Sequence, residues 1–223
     1  MGVPRSELCE RFRRIPMTAV CDAIYRAGRT ERVLPSYLRP LFPTQRIVGI
    51  ARTVQGVGFD ERRPWAEGVK RIQSYLRMFD GIGPDDVLVS VNGDSPVGHF
   101  GELTGNAAQV HGCVGVILDG NLRDTDGLRD IGLQVFYRDM SPLNAIGRWE
   151  MAATQVPVTI GDVEIHPGDV IHADFDGILV IPSGEATQVL LDSETVMAGE
   201  DLVRGDMREG LSPAEGLKKH GYI

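Results

Sequence analysis

Glu102, Arg123 and Asp124 are the residues of this 223-residue chain whose types and spacing best suit chemistry. They lie in FGELTGNAAQVHGCVGVILDGNLRD, residues 100–124. Glu102 opens a predicted helix, where an acid also complements the helix dipole. Arg123 and Asp124 follow a predicted buried strand, and ligands of open α/β sheets bind at the carboxyl ends of strands. Taken singly, each has a plain structural reading: a first-turn acid, a loop ion pair, a helix cap from Asp124. Taken together they point to a site. A right-handed crossover through the helix can return the chain to the edge where Glu102 sits. Two carboxylates without histidine or cysteine suit a hard cation, Mg²⁺ or Mn²⁺. The arginine suits a planar carboxylate or a developing enolate. The helix start GELTG adds backbone N–H groups that can hold an anion.

The elements that must position these residues are legible from pattern. Ser6 to Ala27 reads as two short helices broken near Pro16, with Thr18 capping the second and Gly28 ending it. Leu34 to Pro43 carries three prolines and reads as an irregular connection. Arg46 to Val57 reads as a strand. Trp65 to Phe79 has Val69, Ile72, Leu76 and Phe79 at helical spacing. The turn GIGPDD leads into the strand VLVSV. The helix at 101–112, the strand CVGVILDG, the short helix in LRDTDGLRDIG and the strand LQVFYRD follow. Consecutive apolar strands alternating with helices imply parallel pairing in a covered sheet. Val156–Ile160, Val163–Ile165, Asp169–Ala173 and Gly177–Ile181 read as a β-meander or small barrel, and a final helix spans about Gly184 to Arg208. The expected class is α/β: a parallel βαβ core, a strand-rich half and a C-terminal helix.

Composition narrows the function. A net charge of −8 argues against a nucleic-acid binder held by phosphate contacts. No run of 18 apolar residues occurs, so no membrane span is expected. The N-terminal stretch lacks the apolar core of a secretory signal, and its MGVPRS match to a myristoylation motif stands without a second anchoring signal. Three widely spaced cysteines fit a reducing cytoplasm, and no CxxC pair suggests zinc. The five histidines form no HxxH or HxxxH pair. His99 stands beside the motif, where a loop histidine is more often structural. Asp94 reads as a turn residue and Cys113 as an inert buried thiol. Neither GxGxxG nor a Walker A motif is present.

An acid, twenty intervening residues and Arg–Asp resemble the signature of the class II 4-hydroxy-4-methyl-2-oxoglutarate / 4-carboxy-4-hydroxy-2-oxoadipate aldolases. These belong to the regulator of ribonuclease activity A-like superfamily. TAVCDAIYRAG, RPLFPTQRIVGIARTV, IGDVEIHPGDVIHADFDGILVIP and GEDLVRGDMREGLSPAEGLKKHG are similar to further segments of that family, in order along the chain. The resemblance implies a single swivelling β/β/α-type domain over residues 1–223, in homotrimers or hexamers with the site between subunits. It implies a lyase of small 2-oxo acids that forms a pyruvate enolate by aldol cleavage or by oxaloacetate decarboxylation. The glutamate form of the upstream acid is the one linked to decarboxylation. It implies that Asp124 binds the divalent metal directly and Glu102 through water, while Arg123 contacts the pyruvoyl group. Backbone amides of Leu103 and Thr104 would hold the substrate carboxylate. Glu200 of a neighbouring subunit, or else Glu194, would approach the metal. The rival reading of the same fold is a non-catalytic, protein-binding regulator, which is described by Gly in place of the upstream acid; Glu102 favours the enzyme.

Overall fold

The structure is a computed structural model that describes residues 3–222; the first two residues of the MGVPRS start lie outside them. The described helices are α1 (Arg5–Arg13), α2 (Met17–Arg26), α3 (Trp65–Met78), α4 (Glu102–Val110), α5 (Thr125–Ile131), α6 (Ala186–Arg208) and α7 (Pro213–His220). The strands are β1 (Arg32–Val33), β2 (Arg39–Pro40), β3 (Ile47–Gly58), β4 (Asp86–Val91), β5 (Gly98–Phe100) and β6 (Gly115–Leu122). They continue as β7 (Val135–Met140), β8 (Trp149–Thr154), β9 (Val158–Ile160), β10 (Val163–Ile165), β11 (Val170–Asp174) and β12 (Gly177–Ile181). The chain groups into two compact units. One is Arg32–Ser183; the other joins the chain up to Glu31 with the chain from Gly184.

The larger unit is built on one mixed sheet, ordered β1-β12-β11-β3-β4-β6-β7-β2. β3, β4, β6 and β7 are parallel neighbours, as their apolar character predicts. β4 and β6 are buried along almost their whole length because both faces of the sheet are covered. Leu88, Val116, Leu118 and Leu122 face a core shared with Ile72 and Tyr75 of α3, Ala108 of α4 and Leu128 of α5. Val87, Val89 and Ile117 face the opposite core, closed by Val158, Ile160, Val163 and Ile165 of the β9–β10 hairpin.

Several details depart from the pattern-based expectations. β11 and β12 do not make a separate barrel: they extend the main sheet, β11 antiparallel to β3 and β12 antiparallel to β11, and only β9 and β10 stand apart. The buried stripe of α3 is Gly68, Ile72, Tyr75 and Met78, whereas Leu76 is half exposed. Thr18 does not cap α2; it sits inside the first turn, after Pro16 at the cap position. Gly28 follows the helix with φ +68°, the left-handed geometry expected of a glycine past a helix end. β1, β2, β5, β8 and α7 lie outside the expected elements, with β2 inside the stretch read as irregular.

The smaller unit is helical. α2 presents Met17, Val20, Ala23 and Ile24, and α6 presents Val189, Leu190, Val196 and Val203, as buried apolar stripes. The Arg11 guanidinium donates two bonds to Glu194, Nε to Oε1 at 2.8 Å and Nη2 to Oε2 at 2.7 Å. No helix among the described residues is long and apolar enough to cross a membrane.

Trp149 anchors β8 in the larger core. It is 1% exposed, meets Tyr75 edge-on at 5.0 Å and stacks on His99 at 4.6 Å. Gly56 of β3 leaves room for its indole, since a Cβ there would lie 2.3 Å from the ring. Trp149→Ala is expected to destabilise the fold by about 3–5 kcal/mol, read as a lower denaturation midpoint in urea.

Candidate functional site

Two strand ends meet at the carboxyl edge of the parallel sheet. β5 runs parallel to the last residues of β6 and leads directly into α4. The Arg123 amide donates to the Phe100 carbonyl at 3.0 Å, which ties the end of β6 to the start of α4. The approach is close. A Cβ on Gly101 would lie 2.7 Å from Oδ2 of Asp124 and 2.9 Å from Cγ of Arg123. A Cβ on Gly98 would lie 2.8 Å from Cβ of Arg123. Glycine at both places is therefore a packing requirement of the site.

Arg123 donates from Nε to Oδ2 of Asp124 at 3.0 Å, and both side chains stay partly open to solvent. Asp124 has φ +52°, an uncommon conformation for a non-glycine residue, and it occupies the cap position of α5. Its carboxylate makes no capping bond there. The cap expected from Asp124 is thus absent, and the acid instead lies beside Arg123. Backbone strain of this kind concentrates at functional positions.

Gly101 holds the cap position of α4. The Thr104 hydroxyl accepts from the Gly101 amide at 3.0 Å and donates to the Gly101 carbonyl at 2.9 Å. The first-turn amides of Glu102, Leu103 and Thr104 have no partner within the helix by geometry, and Leu103 and Thr104 border the same cleft as Arg123. Glu102 is turned toward α5. Its Oε1 accepts from Asn106 at 3.2 Å, and its stem packs on Gly127, where a Cβ would fall 2.5 Å from the Glu102 Cγ.

A cleft of about 280 Å³ opens over this edge. Gly101, Leu103, Thr104, Arg123 and Asp124 form one end of it. Tyr75 and His99 border it together with apolar residues of α3 and of the loop before β8. Glu102 does not border the cleft. His99 is 5% exposed, and burial pushes its pKa down to about 3, so the ring is neutral. Its Nε2 pairs with the Ser90 hydroxyl at 2.8 Å. The sequence pointed to His99 only by proximity. Tyr75 carries no local signal beyond helical spacing from Ile72, and the fold alone brings it to the cleft.

Glu194 and Glu200 belong to the helical unit. Glu194 is taken up by Arg11, which holds its carboxyl below the usual range. Glu200 is largely buried, and burial, with Asp22 nearby, raises its pKa. Among the described residues no three His, Cys, Asp or Glu side chains gather as a complete metal-ligand set. What one chain offers a hard cation at the cleft edge is oxygen from Asp124, with Glu102 nearby across Gly127.

Residues 17–180 match a family model described as RraA-like: Aldolase/RraA. The chain belongs to the RraA-like family. A relative in Halalkalibacterium halodurans named "Putative 4-hydroxy-4-methyl-2-oxoglutarate aldolase" is 29% identical over 90% of this chain and 89% of its own. An uncharacterized protein from Pseudomonas syringae shares the fold at TM-score 0.82, with 24% identity over 98% of this chain and 96% of its own. RraAS2 of Streptomyces coelicolor, described as an unusual member of the RNase ES inhibitor RraA protein family, shares it at TM-score 0.75. Its identity is 24% over 92% of this chain and 98% of its own. The family match takes in Glu102, Arg123 and Asp124 and stops before Glu194 and Glu200.

Overpacking the glycine contact tests this RraA-like site geometry. Gly101→Val is expected to cost about 1–3 kcal/mol in chemical denaturation. Gly205→Ala, on α6 with open space around it, is expected to stabilise by up to about 1 kcal/mol.

Proposed function

We propose that this chain is a divalent-metal-dependent carbon–carbon lyase of small 2-oxo acids. It cleaves 4-hydroxy-4-methyl-2-oxoglutarate-like substrates to pyruvate, decarboxylates oxaloacetate, or does both. The observation that carries the reading is the meeting of Arg123, Asp124 and the amino end of α4 at one end of a cleft. The name of the Halalkalibacterium halodurans relative supports it.

On this reading each residue has a task. The amides of Leu103 and Thr104 receive the carboxylate of the 2-oxo acid, helped by the helix dipole. Arg123 lies against the keto oxygen and stabilises negative charge as the bond to C4 breaks. The Arg123–Asp124 contact fixes the guanidinium before substrate arrives, which reduces the reorganisation needed. Asp124 would hold Mg²⁺ or Mn²⁺ directly and Glu102 through water, with Glu200 of a neighbouring copy added in a homotrimer or hexamer. Once bound, such an ion supplies Lewis-acid polarisation of the keto group. Glu102, which does not border the cleft, would act through a water on the bound ion, which would take the proton from a 4-hydroxyl and return one to C3. Both reactions leave the same pyruvate enolate, so one arrangement serves either.

Purified protein given oxaloacetate or 4-hydroxy-4-methyl-2-oxoglutarate with Mg²⁺ is expected to release pyruvate, and EDTA to abolish the release. Arg123→Lys is expected to lower kcat by about 10²–10³-fold, because a point charge cannot replace the planar fork. Asp124→Ala is expected to lose metal-dependent turnover. Wild-type rates in Asp124→Ala would remove the assigned site. No metal-dependent pyruvate from either substrate would remove the lyase and leave a protein-binding regulator.

A further inference from the structure

Arg123 and Asp124 border the cleft and Glu102 does not. The contacts of Glu102 account for the difference. Asn106 lies one turn further along α4, and its side-chain amide is turned to this one residue. Nδ2 donates to the Glu102 carbonyl at 3.1 Å and to the carboxylate Oε1 at 3.2 Å. On the other side α5 comes close. A Cβ on Gly127 would lie 2.5 Å from Cγ, 2.9 Å from Cβ and 3.1 Å from Cδ of Glu102. Two further contacts hold the helices at this spacing. A Cβ on Gly105 would lie 2.5 Å from Cδ2 of Leu128, and Gln109 Nε2 donates to the Ile131 carbonyl at 2.9 Å. Asparagine and glycine are both poor residues for a helix interior, so helix stability explains neither Asn106 nor Gly127. Their shared contact with Glu102 does.

Resting on the lyase reading, we propose that Asn106 and Gly127 are positioning residues for Glu102, which together seat its carboxylate against α5 so that it serves the site through water and not as a direct ligand of the ion. A glutamate at the start of a helix has several staggered side-chain conformations open to it. The Asn106 amide and the missing Cβ of Gly127 select one. The seat is also tied to Asp124, because Gly127 stands in the first turn of α5 and Asp124 holds the cap position of that helix. Both acids therefore take their places from the same turn of chain. A carboxylate held this way presents the same oxygen to a water at each turnover, and misplacing such a group by about 1 Å costs on the order of 10²-fold in rate.

Three full-length variants test the seat. Asn106→Leu removes the amide, Gly127→Ala puts a methyl group into the Glu102 stem, and Asn106→Gln keeps an amide at the same helical spacing. Each is assayed with Mg²⁺ for pyruvate from oxaloacetate and from 4-hydroxy-4-methyl-2-oxoglutarate. Mn²⁺ affinity is measured without substrate by electron paramagnetic resonance, and a urea midpoint confirms that each variant is folded. Should one of the two disruptive variants fail to fold, the other carries the comparison. Asn106→Leu and Gly127→Ala are expected to lower kcat about tenfold or more, with KM within about threefold because Leu103, Thr104 and Arg123 still receive the substrate. Mn²⁺ affinity is expected to stay within about threefold of wild type, since Asp124 is untouched. Asn106→Gln is expected to recover most of kcat, because an amide at i+4 still reaches the carboxylate. Wild-type kcat in the disruptive variants overturns the proposal. An equal loss in Asn106→Gln and Asn106→Leu overturns it too, and so does Mn²⁺ binding weakened about tenfold, which would make Glu102 a direct ligand. Wild-type protein that releases no pyruvate from either substrate overturns the lyase reading and the proposal with it, a failure seen before any variant is made.

Discussion

Gly98 and Gly101 lie so close to Arg123 that a Cβ on either would fall within 3 Å of its side chain. The site depends on this contact because it joins two strand ends that are far apart in sequence. β6 delivers Arg123 and Asp124; β5 delivers the amino end of α4. The Phe100 carbonyl and the Arg123 amide lock the two together at 3.0 Å. Side chains at the glycine positions would push the Arg123 side chain away from the amino end of α4. The rest of the larger unit supports this join. Two apolar cores hold β4 and β6 in register, so the edge where the strands end is rigid.

The electrostatics of the join follow from the same constraint. Asp124 is forced into a positive φ by the turn from β6 into α5. That turn aims its carboxylate back at Arg123 instead of into the helix it precedes. A carboxylate kept from capping stays available at the cleft, and a guanidinium held on one side keeps donors for a ligand. Exposed ion pairs of this type contribute little to stability, so positioning is the better account of the contact.

Much of this was legible in the sequence, for a physical reason. β4 and β6 are covered on both faces, so they read as continuous apolar runs. The segment of α3 before β4 carries helical spacing, and a helix separates β4 from β6, so the parallel core and the strand-end location of Arg123 and Asp124 follow. β5 was not legible, because three residues, Gly98 to Phe100, cannot show alternation and are set only by pairing with the tip of β6. β8 buries Trp149 and leaves the rest of its residues half-buried or exposed, so its pattern is faint. Leu76 and Tyr75 sit side by side in sequence. Hydropathy favours the leucine for the core, yet α3 is rotated so that the ring of Tyr75 packs against Trp149 and Phe79. Thr18 has the chemistry of a cap but not the position, because α2 is capped at Pro16, two residues earlier.

Glu102 shows how far residue type alone can carry a reading. Its spacing from Arg123 and Asp124 suggests a shared ligand set, but its carboxylate lies between α4 and α5, against Asn106 and Gly127. Gly127 is what admits the glutamate stem there; a side chain on the α5 turn would expel it. The two acids therefore flank the start of α5 instead of converging on one point. For a hard cation this is compatible with binding. Mg²⁺ holds its waters strongly and is commonly bound by one or two carboxylates together with substrate oxygens. A cation on Asp124 would then draw its remaining ligands from water, from the 2-oxo acid and from any carboxylate of a neighbouring copy. Glu102, held against Asn106 and Gly127, would on the proposed reading act through one of those waters.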